Sequence, residues 1–488
     1  MDGQDIVRGF KATLLARAVY MVSSALLMVA LARYLLEPEG YGTLYWTIGV
    51  LAVVQLFADV GLGKSAARYF AEYREKDPGQ IPHLVRSSAW YKFVLGAVVA
   101  VGLFLLADPL ASLLGDPNAA PFLAAGALYV FAKTFHGFAM IGFQGFNDLV
   151  YSATVQASAG VVRLVFAVGF VLLGFGALGA LFGYIVGYAV AGAVGMILLY
   201  RSVYGRYHPA KRYEPGLSRR LLEYSVPLMA TQSANVIDKQ IDVVLVGVFL
   251  NPTAVAFYTL GKQVTDFVLA PAESLGFTIS PNFGEHKAAG RLERARSIYE
   301  AALTNVLALY VPAAAGLALV ADPFVTMVFG PDYAGAVVVL QLLSGFIVLG
   351  AINNLTSDGL DYLGRARHRA VVKGATSVAN FALNVALIPV IGVAGAAIAT
   401  VATHTVYVLV NLWIVHGELA LNVGSLLRTT GLVCAITGVM AAAVVLVVPM
   451  VSSPLTLVGV IALGVATWAV LAVASGLVDP REVRTVLS

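Results

Sequence analysis

Between residues 221 and 280 two long apolar stretches carry side chains that bind ions, phosphates or hydroxyls. In the first, Thr231, Gln232, Asn235, Asp238, Lys239 and Asp242 fall within roughly 120° of arc at about 100° per residue. In the second, Lys262, Gln263, Asp266 and Glu273 fall within about 100°. A charge at mid-bilayer costs at least ~2.5–3.5 kcal/mol, so a helix facing lipid all round would not keep these residues. The pattern predicts that they face protein or a water-filled cavity and line a transport path. The acids Asp59, Asp238, Asp242, Asp266 and Glu273 are candidates for ion coupling or a gate, with H⁺ or Na⁺ as the coupled ion. Neither catalytic residues nor a metal site nor an organic cofactor is expected.

These residues sit in a chain that is 59% hydrophobic and only 12% charged, with mean hydropathy +0.84. Too little charge is present to cover a soluble surface, so composition alone implies a polytopic membrane protein. The net charge of +4 is concentrated in short loops and is no signal for nucleic acid. The lone Cys434 lies in an apolar run and reads as a small core hydrophobe.

A membrane-spanning helix needs ~20 mainly apolar residues. Fourteen stretches qualify, at 12–36, 41–62, 88–107, 119–143, 150–174, 177–200, 221–249, 254–280, 298–320, 334–357, 371–390, 394–415, 428–449 and 454–476. With an inside N-terminus, alternate loops collect the cations: Arg8 and Lys11, then Lys64 to Arg86, Arg201 to Arg220, Lys287 to Arg296, Arg365 to Arg369, Arg428, and finally Arg481 and Arg484. The opposite loops, 37–40, 108–118, 250–253, 321–333 and 450–453, contain no Lys or Arg. This asymmetry predicts both termini on the cytoplasmic side of the cell membrane.

The chain also repeats itself. LARYLLEPEGYGTLYW (31–46) lies over LVGVFLNPTAVAFYTL (245–260) at an offset of 214, which also pairs Asp59 with Glu273. After a slip of two, FGALGA (175–180) matches IGVAGA (391–396). Six spans per half is an even number, so the repeat is parallel, about an axis along the membrane normal. The expected architecture is all-α: an N-terminal six-helix bundle (1–200), a cytoplasmic basic linker (201–220), a second six-helix bundle (221–416), and two additional helices (417–488).

The run LARYLLEPEGYGTLYWTIGVLAVVQLFADVGLGKSAARYFAEY (31–73), together with GVAGAAIA (392–399), resembles the Wzx-like polysaccharide and lipid-linked oligosaccharide flippases. These belong to a superfamily with the lipid II flippases and multidrug (MATE) exporters. The resemblance implies translocation of a polyprenyl-(pyro)phosphate-linked oligosaccharide from the cytoplasmic to the outer leaflet by alternating access of two six-helix bundles. Its partners would be membrane lipids, that substrate and other polysaccharide or glycosylation proteins, with no nucleic acid. An anionic headgroup calls for cations, and Arg17, Lys133, Arg163, Lys239 and Lys262 are the candidates within spans. Arg17 shares a face with Thr13, Tyr20 and Ser24; Lys133 with Tyr129, His136 and Gln144; Arg163 with Ser152 and Gln156. Gln232 and Asn235, with Asn380 and Asn384 on the Lys373–Ser377 stripe, are candidates for a polar, glycan-binding cavity.

Structural readings stand beside these. Asp238 with Lys239, and Lys262 with Asp266, could be ion pairs that only fix helix contacts. The asparagine stripe could be interhelical hydrogen-bond glue, and His136 a satisfied core histidine. Asp59 and Glu273 could cap helices or pair with loop arginines such as Arg68. A cation-coupled multidrug exporter of the same fold is the alternative function, favouring an acidic cavity with few buried arginines. A scaffold or enzyme is disfavoured, since no outside loop is large enough to hold a catalytic site and no acidic motif of the kind that binds a metal and a sugar nucleotide is present; nor does a GxxxxGK[ST] nucleotide-binding loop occur.

Overall fold

A computed structural model describes residues 3–477, with side chains from Thr13 onward except at 230, 231, 274, 275, 277 and 278. The side chains of Arg8, Lys11 and Thr231, and all of Arg481 and Arg484, therefore lie outside the described residues. Sixteen α-helices follow one another: α1 (Gly3–Val29, prolonged by a π-helical turn to Leu35), α2 (Pro38–Asp59), α3 (Leu62–Lys76), α4 (Ile81–Leu105), α5 (Ala107–Leu113), α6 (Ala120–Gly145), α7 (Leu149–Phe170) and α8 (Gly176–Arg206). Then come α9 (Leu217–Phe249), α10 (Pro252–Ala288), α11 (Leu292–Val328), α12 (Ala336–Tyr362), α13 (Ala366–Ile391), α14 (Val393–Leu419), α15 (Val423–Val447) and α16 (Pro454–Ala474). Among the described residues eleven segments are long and apolar enough to cross a membrane, and one of them, Leu149–Arg206, holds both α7 and α8. The protein is a multi-pass membrane protein.

Local chemistry sets the helix ends. Proline opens α2, α10 and α16, where its missing N–H costs nothing. At α10 the Asn251 side chain also accepts a hydrogen bond from the Ala254 N–H at 2.8 Å. The internal repeat is visible in the backbone. Gly176 (φ 55°, ψ −143°) and Gly392 (φ 65°, ψ −147°) share one conformation that a Cβ disfavours, and each starts the helix that follows a tight reversal. One departure breaks the symmetry: α2 ends at left-handed Val60 and Gly61 before the amphipathic α3, whereas the matching stretch of the second half runs on as the single helix α10.

The chain divides into two compact units, 1–255 and 256–488. In the first, α9 belongs with α2: a Cβ at Gly49 would sit 3.3 Å from Val243, and the Trp46 indole donates to the Val244 carbonyl at 3.3 Å. In the second, Phe283, Tyr299, Leu355 and Val415 share one buried core, and the Tyr299 hydroxyl lies 2.8 Å from Thr356 Oγ1. Contrary to the core role expected of it, Cys434 is exposed on α15, because Val433 and Ile436 occupy the buried stripe of that helix.

Candidate functional site

The first unit sets a buried arginine and a half-buried lysine among tyrosine rings. Three glycines create the room. A Cβ at Gly160 of α7 would lie 3.0 Å from Tyr20 of α1, one at Gly187 of α8 would lie 2.8 Å from the Arg163 Cβ, and one at Gly192 would lie 3.0 Å from the His136 backbone nitrogen. Small residues at these crossings let α1, α6, α7 and α8 approach closely, as at other membrane helix contacts. Arg163, only 7% exposed, is thereby held in the interior. Its Nη2 donates to Ser24 Oγ at 2.7 Å, and its guanidinium lies 4.8 Å from the Tyr184 ring centre and 5.4 Å from that of Tyr20. Its Nε is buried with no hydrogen-bond partner among the described residues.

Lys133, one helix away, donates to the Tyr129 hydroxyl at 3.2 Å and approaches the Tyr188 ring at 5.8 Å. Tyr45 and Tyr184 share a 2.9 Å hydroxyl–hydroxyl hydrogen bond, and His136 packs 5.1 Å from the Tyr188 ring centre. Aromatic faces offset part of the cost of burying a cation, by about 2 kcal/mol when desolvated. A buried charge without a counter-ion nevertheless costs several kcal/mol, and no carboxylate is within 4 Å of Arg163 or Lys133 among the described residues. A fork of guanidinium donors suits phosphate or carboxylate.

The other sequence candidates fall elsewhere. Asp59 does not pair with Arg68: it takes the ammonium of Lys92, a residue only 1% exposed that also donates to the Asp59 carbonyl at 3.3 Å. Arg68 instead lies 4.0 Å from the Tyr224 ring centre, where the turn at Gly61 holds it against α9. Arg163 takes Ser24 and Tyr20, assigned by helical periodicity to Arg17, in place of Ser152 and Gln156. Arg17, Asn235, Lys239, Asp266 and Glu273 are exposed on their units, Gln232, Asp238 and Lys262 are half-buried, and Asp242 is buried. Lys262 lies 6.0 Å from the Tyr258 ring centre. Asn380 and Asn384 are buried: Asn380 donates to Thr403 at 3.3 Å, and Asn384 donates to Asn380 Oδ1 at 3.0 Å. His136 is buried, and its Nε2 has no partner among the described residues.

Sequence reasoning missed Lys92, Tyr45, Tyr184 and Tyr188. The signal for Lys92 was present, as a lysine four residues into an apolar run that ends at Leu105. The tyrosines lacked one, because a ring signals nothing until its neighbours on other helices are known.

An all-helical, multi-pass chain whose first unit sets cations among tyrosine rings has the multidrug/oligosaccharidyl-lipid/polysaccharide exporter fold. Comparison with known proteins agrees. A family model described as "Polysaccharide biosynthesis protein" matches residues 6–275, and the MatE model matches residues 227–386. The chain belongs to the polysaccharide biosynthesis protein family. It is 26% identical over 189 residues to the probable low-salt glycan biosynthesis flippase Agl15 of Haloferax volcanii, a match that spans 39% of this chain and 40% of that protein. It is 25% identical over 363 residues to the lipopolysaccharide biosynthesis protein WzxC of Escherichia coli (strain K12), spanning 71% of this chain and 68% of that one. Among solved structures, the lipid II flippase MurJ in an inward closed conformation superposes with a TM-score of 0.77 at 13% identity, covering 96% of this chain and 98% of that one. An inward-facing MATE family multidrug transporter gives 0.63 at 17% identity, covering 81% and 93%.

Proposed function

We propose that this protein is a flippase, a transporter without enzymatic activity, which moves a polyprenyl-(pyro)phosphate-linked oligosaccharide from the cytoplasmic to the outer leaflet of the cell membrane. Fourteen helices cross the bilayer in this reading, with both termini in the cytoplasm and two six-helix bundles alternating access around the substrate. The observation that carries it is the pair Arg163 and Lys133, which has no carboxylate counter-ion among the described residues and so offers its charges to an anionic headgroup. A binding site for cationic drugs would place acids there. The names of the relatives, a glycan biosynthesis flippase and a polysaccharide biosynthesis protein, support the same substrate class. Ion coupling through Asp242 or Asp59, by H⁺ or Na⁺, is part of the proposal.

The test is transport in cells that depend on this protein for export of their lipid-linked glycan. Arg163→Gln and Lys133→Gln should each leave the protein inserted and folded while lipid-linked oligosaccharide accumulates on the cytoplasmic leaflet. Losing a charge-assisted hydrogen bond of ~1.5–3 kcal/mol predicts a loss of flux of about ten-fold or more. Arg163→Lys should retain part of it, because a point charge replaces the fork. Undiminished flux in both glutamine variants would remove the site.

A further inference from the structure

The segment joining α8 to α9, residues 207–216, is a strap laid across the start of α4. The Ala210 N–H donates to the Gly79 carbonyl at 2.8 Å, and Gln80 Nε2 donates to the Arg212 carbonyl at 3.0 Å. The Glu214 N–H donates to Gln80 Oε1 at 3.0 Å, and His83 Nε2 lies 2.9 Å from the Ala210 carbonyl. At its far end Tyr73 donates to Glu214 Oε2 at 2.6 Å, and Arg220 forms an ion pair with the same carboxylate. So secured, the strap holds Tyr213 beside α4, its ring centre 5.8 Å from that of His83.

Between strap and helix lies an open groove of ≈ 750 Å³, lined by His83, Arg86, Ser87, Trp90, Phe93 and Tyr213. Its composition is graded. Trp90 and Phe93, 61% and 44% exposed and stacked at 5.8 Å, form an apolar wall that continues into the span. Arg86 lies one helical turn nearer the basic loops, exposed and with no ion pair or hydrogen-bond partner among the described residues. The strap itself carries exposed Lys211 and Arg212, and none of the lining residues is acidic. An aromatic wall at headgroup level under a cationic rim matches one chemistry, an amphiphile with a negative head and a hydrocarbon tail.

The geometry points to a binding site for an anionic phospholipid, its phosphate on Arg86 and an acyl chain along Trp90 and Phe93. A neutral lipid would fill the apolar wall and leave Arg86 unpaired. The bound lipid would bridge α4 to the strap through Tyr213, and so brace the connection that leads into α9. Nothing in this assignment depends on the transported substrate.

Tryptophan quenching by brominated lipids tests it in the full-length protein. The variant Trp413→Phe with Trp468→Phe keeps Trp90 as reporter beside Trp46, which is 3% exposed and out of reach of lipid. In bilayers of phosphatidylcholine, acyl-brominated phosphatidylglycerol should quench Trp90 with about five-fold higher apparent affinity than brominated phosphatidylcholine, the preference expected of one interfacial cation. Arg86→Gln should abolish that preference while leaving quenching by the neutral lipid unchanged, which also reports that the groove is intact. Equal quenching by both lipids in the parent, or an undiminished preference in Arg86→Gln, would overturn the assignment. Displacement of the brominated phosphatidylglycerol by one equivalent of unbrominated polyprenyl phosphate would overturn it too, by giving the groove to the substrate's tail.

Discussion

Asp59 and Lys92 form an ion pair whose two ends are unequally buried, and this predicts an unequal response to substitution. Lys92 is 1% exposed and among the described residues has only Asp59 as partner, through the carboxylate and the main-chain carbonyl, whereas the Asp59 side chain keeps 24% of its surface. Asp59→Asn strands an ammonium in the interior of the first unit. Breaking a buried pair in this way costs ~3–5 kcal/mol, and the carbonyl contact that survives places this case near the lower figure, about 3 kcal/mol. Lys92→Met strands a carboxylate that can reach water, so its cost should be about 1 kcal/mol. The double variant removes both charges, leaves no orphan and should lie near the Lys92→Met value. Equilibrium unfolding of the purified protein in mixed micelles at constant lipid composition measures all three. If Lys92→Met is as damaging as Asp59→Asn, or if the two costs add in the double variant, the pair is not the buried contact described here.

Gly61→Ala should be severely destabilising, since φ is +71° and the new Cβ would meet the Ser225 carbonyl at 2.4 Å. Gly102→Ala, in open space on α4, should be neutral or stabilising by about 0.5 kcal/mol, and thermal unfolding separates the two. Asn384→Ala removes hydrogen bonds to Asn380 inside the second unit and should lower stability by about 1 kcal/mol with transport retained; lost transport at unchanged stability would instead make that stripe a glycan contact. Tyr73 and Arg220 hold the Glu214 carboxyl below its usual range, the hydrogen bond from Tyr73 contributing most. A lowered value means that the ionised form secures the strap. Its contribution is therefore complete above the ordinary value of about 4.3 and is lost as pH falls through the depressed one. Trypsin cleavage at Lys211 and Arg212 should accordingly be slow at neutral pH and several-fold faster in Glu214→Gln.

Much of this was legible in the chain, and for physical reasons. Apolar runs of bilayer length can only be helices, because lipid offers backbone groups no partners. Proline and glycine mark where those helices begin and turn, as at Pro38, Pro252, Gly176 and Gly392. Arg163 and Lys133 stood out because a charge within a span demands a reason. What surrounds them did not, since Tyr45 and Tyr184 meet across 139 residues and no local pattern encodes that meeting. The amphipathic α3 was read as a basic loop: its charges, Lys64 to Lys76, met the topology rule and hid the buried face of Leu62, Ala66, Tyr69, Phe70 and Tyr73. Periodicity also assigned Ser24 and Tyr20 to Arg17, because it registers residues on one helix and not those that reach across from the next.

The repeat bears on whether these cations are needed to assemble the helices. Lys92 corresponds to Val306 at the offset of 214, whereas at the offset of 217 set by the ends of α6 and α12 (Phe146, Leu363) and the starts of α7 and α13 (Asp148, Arg365), Lys133 and Arg163 correspond to Gly350 and Asn380. The second half therefore builds equivalent helices, with equivalent reversals at Gly176 and Gly392, where those cations are absent. If they were needed to assemble six helices, the second half would lack what the first requires. Lys92 is the structural member, since its charge is answered by Asp59, and Val306 needs no such answer. Lys133 and Arg163 are answered by no carboxylate, and they are the pair to exchange. Lys133→Ile with Arg163→Ser removes both charges. The double variant should insert and unfold with Tm within a few degrees of the parent, because it removes two uncompensated charges at the cost of some cavity volume. Its transport of lipid-linked glycan should fall to background. A variant that cannot fold would mean that the cations hold the bundle together, and the anion site would lose its foundation.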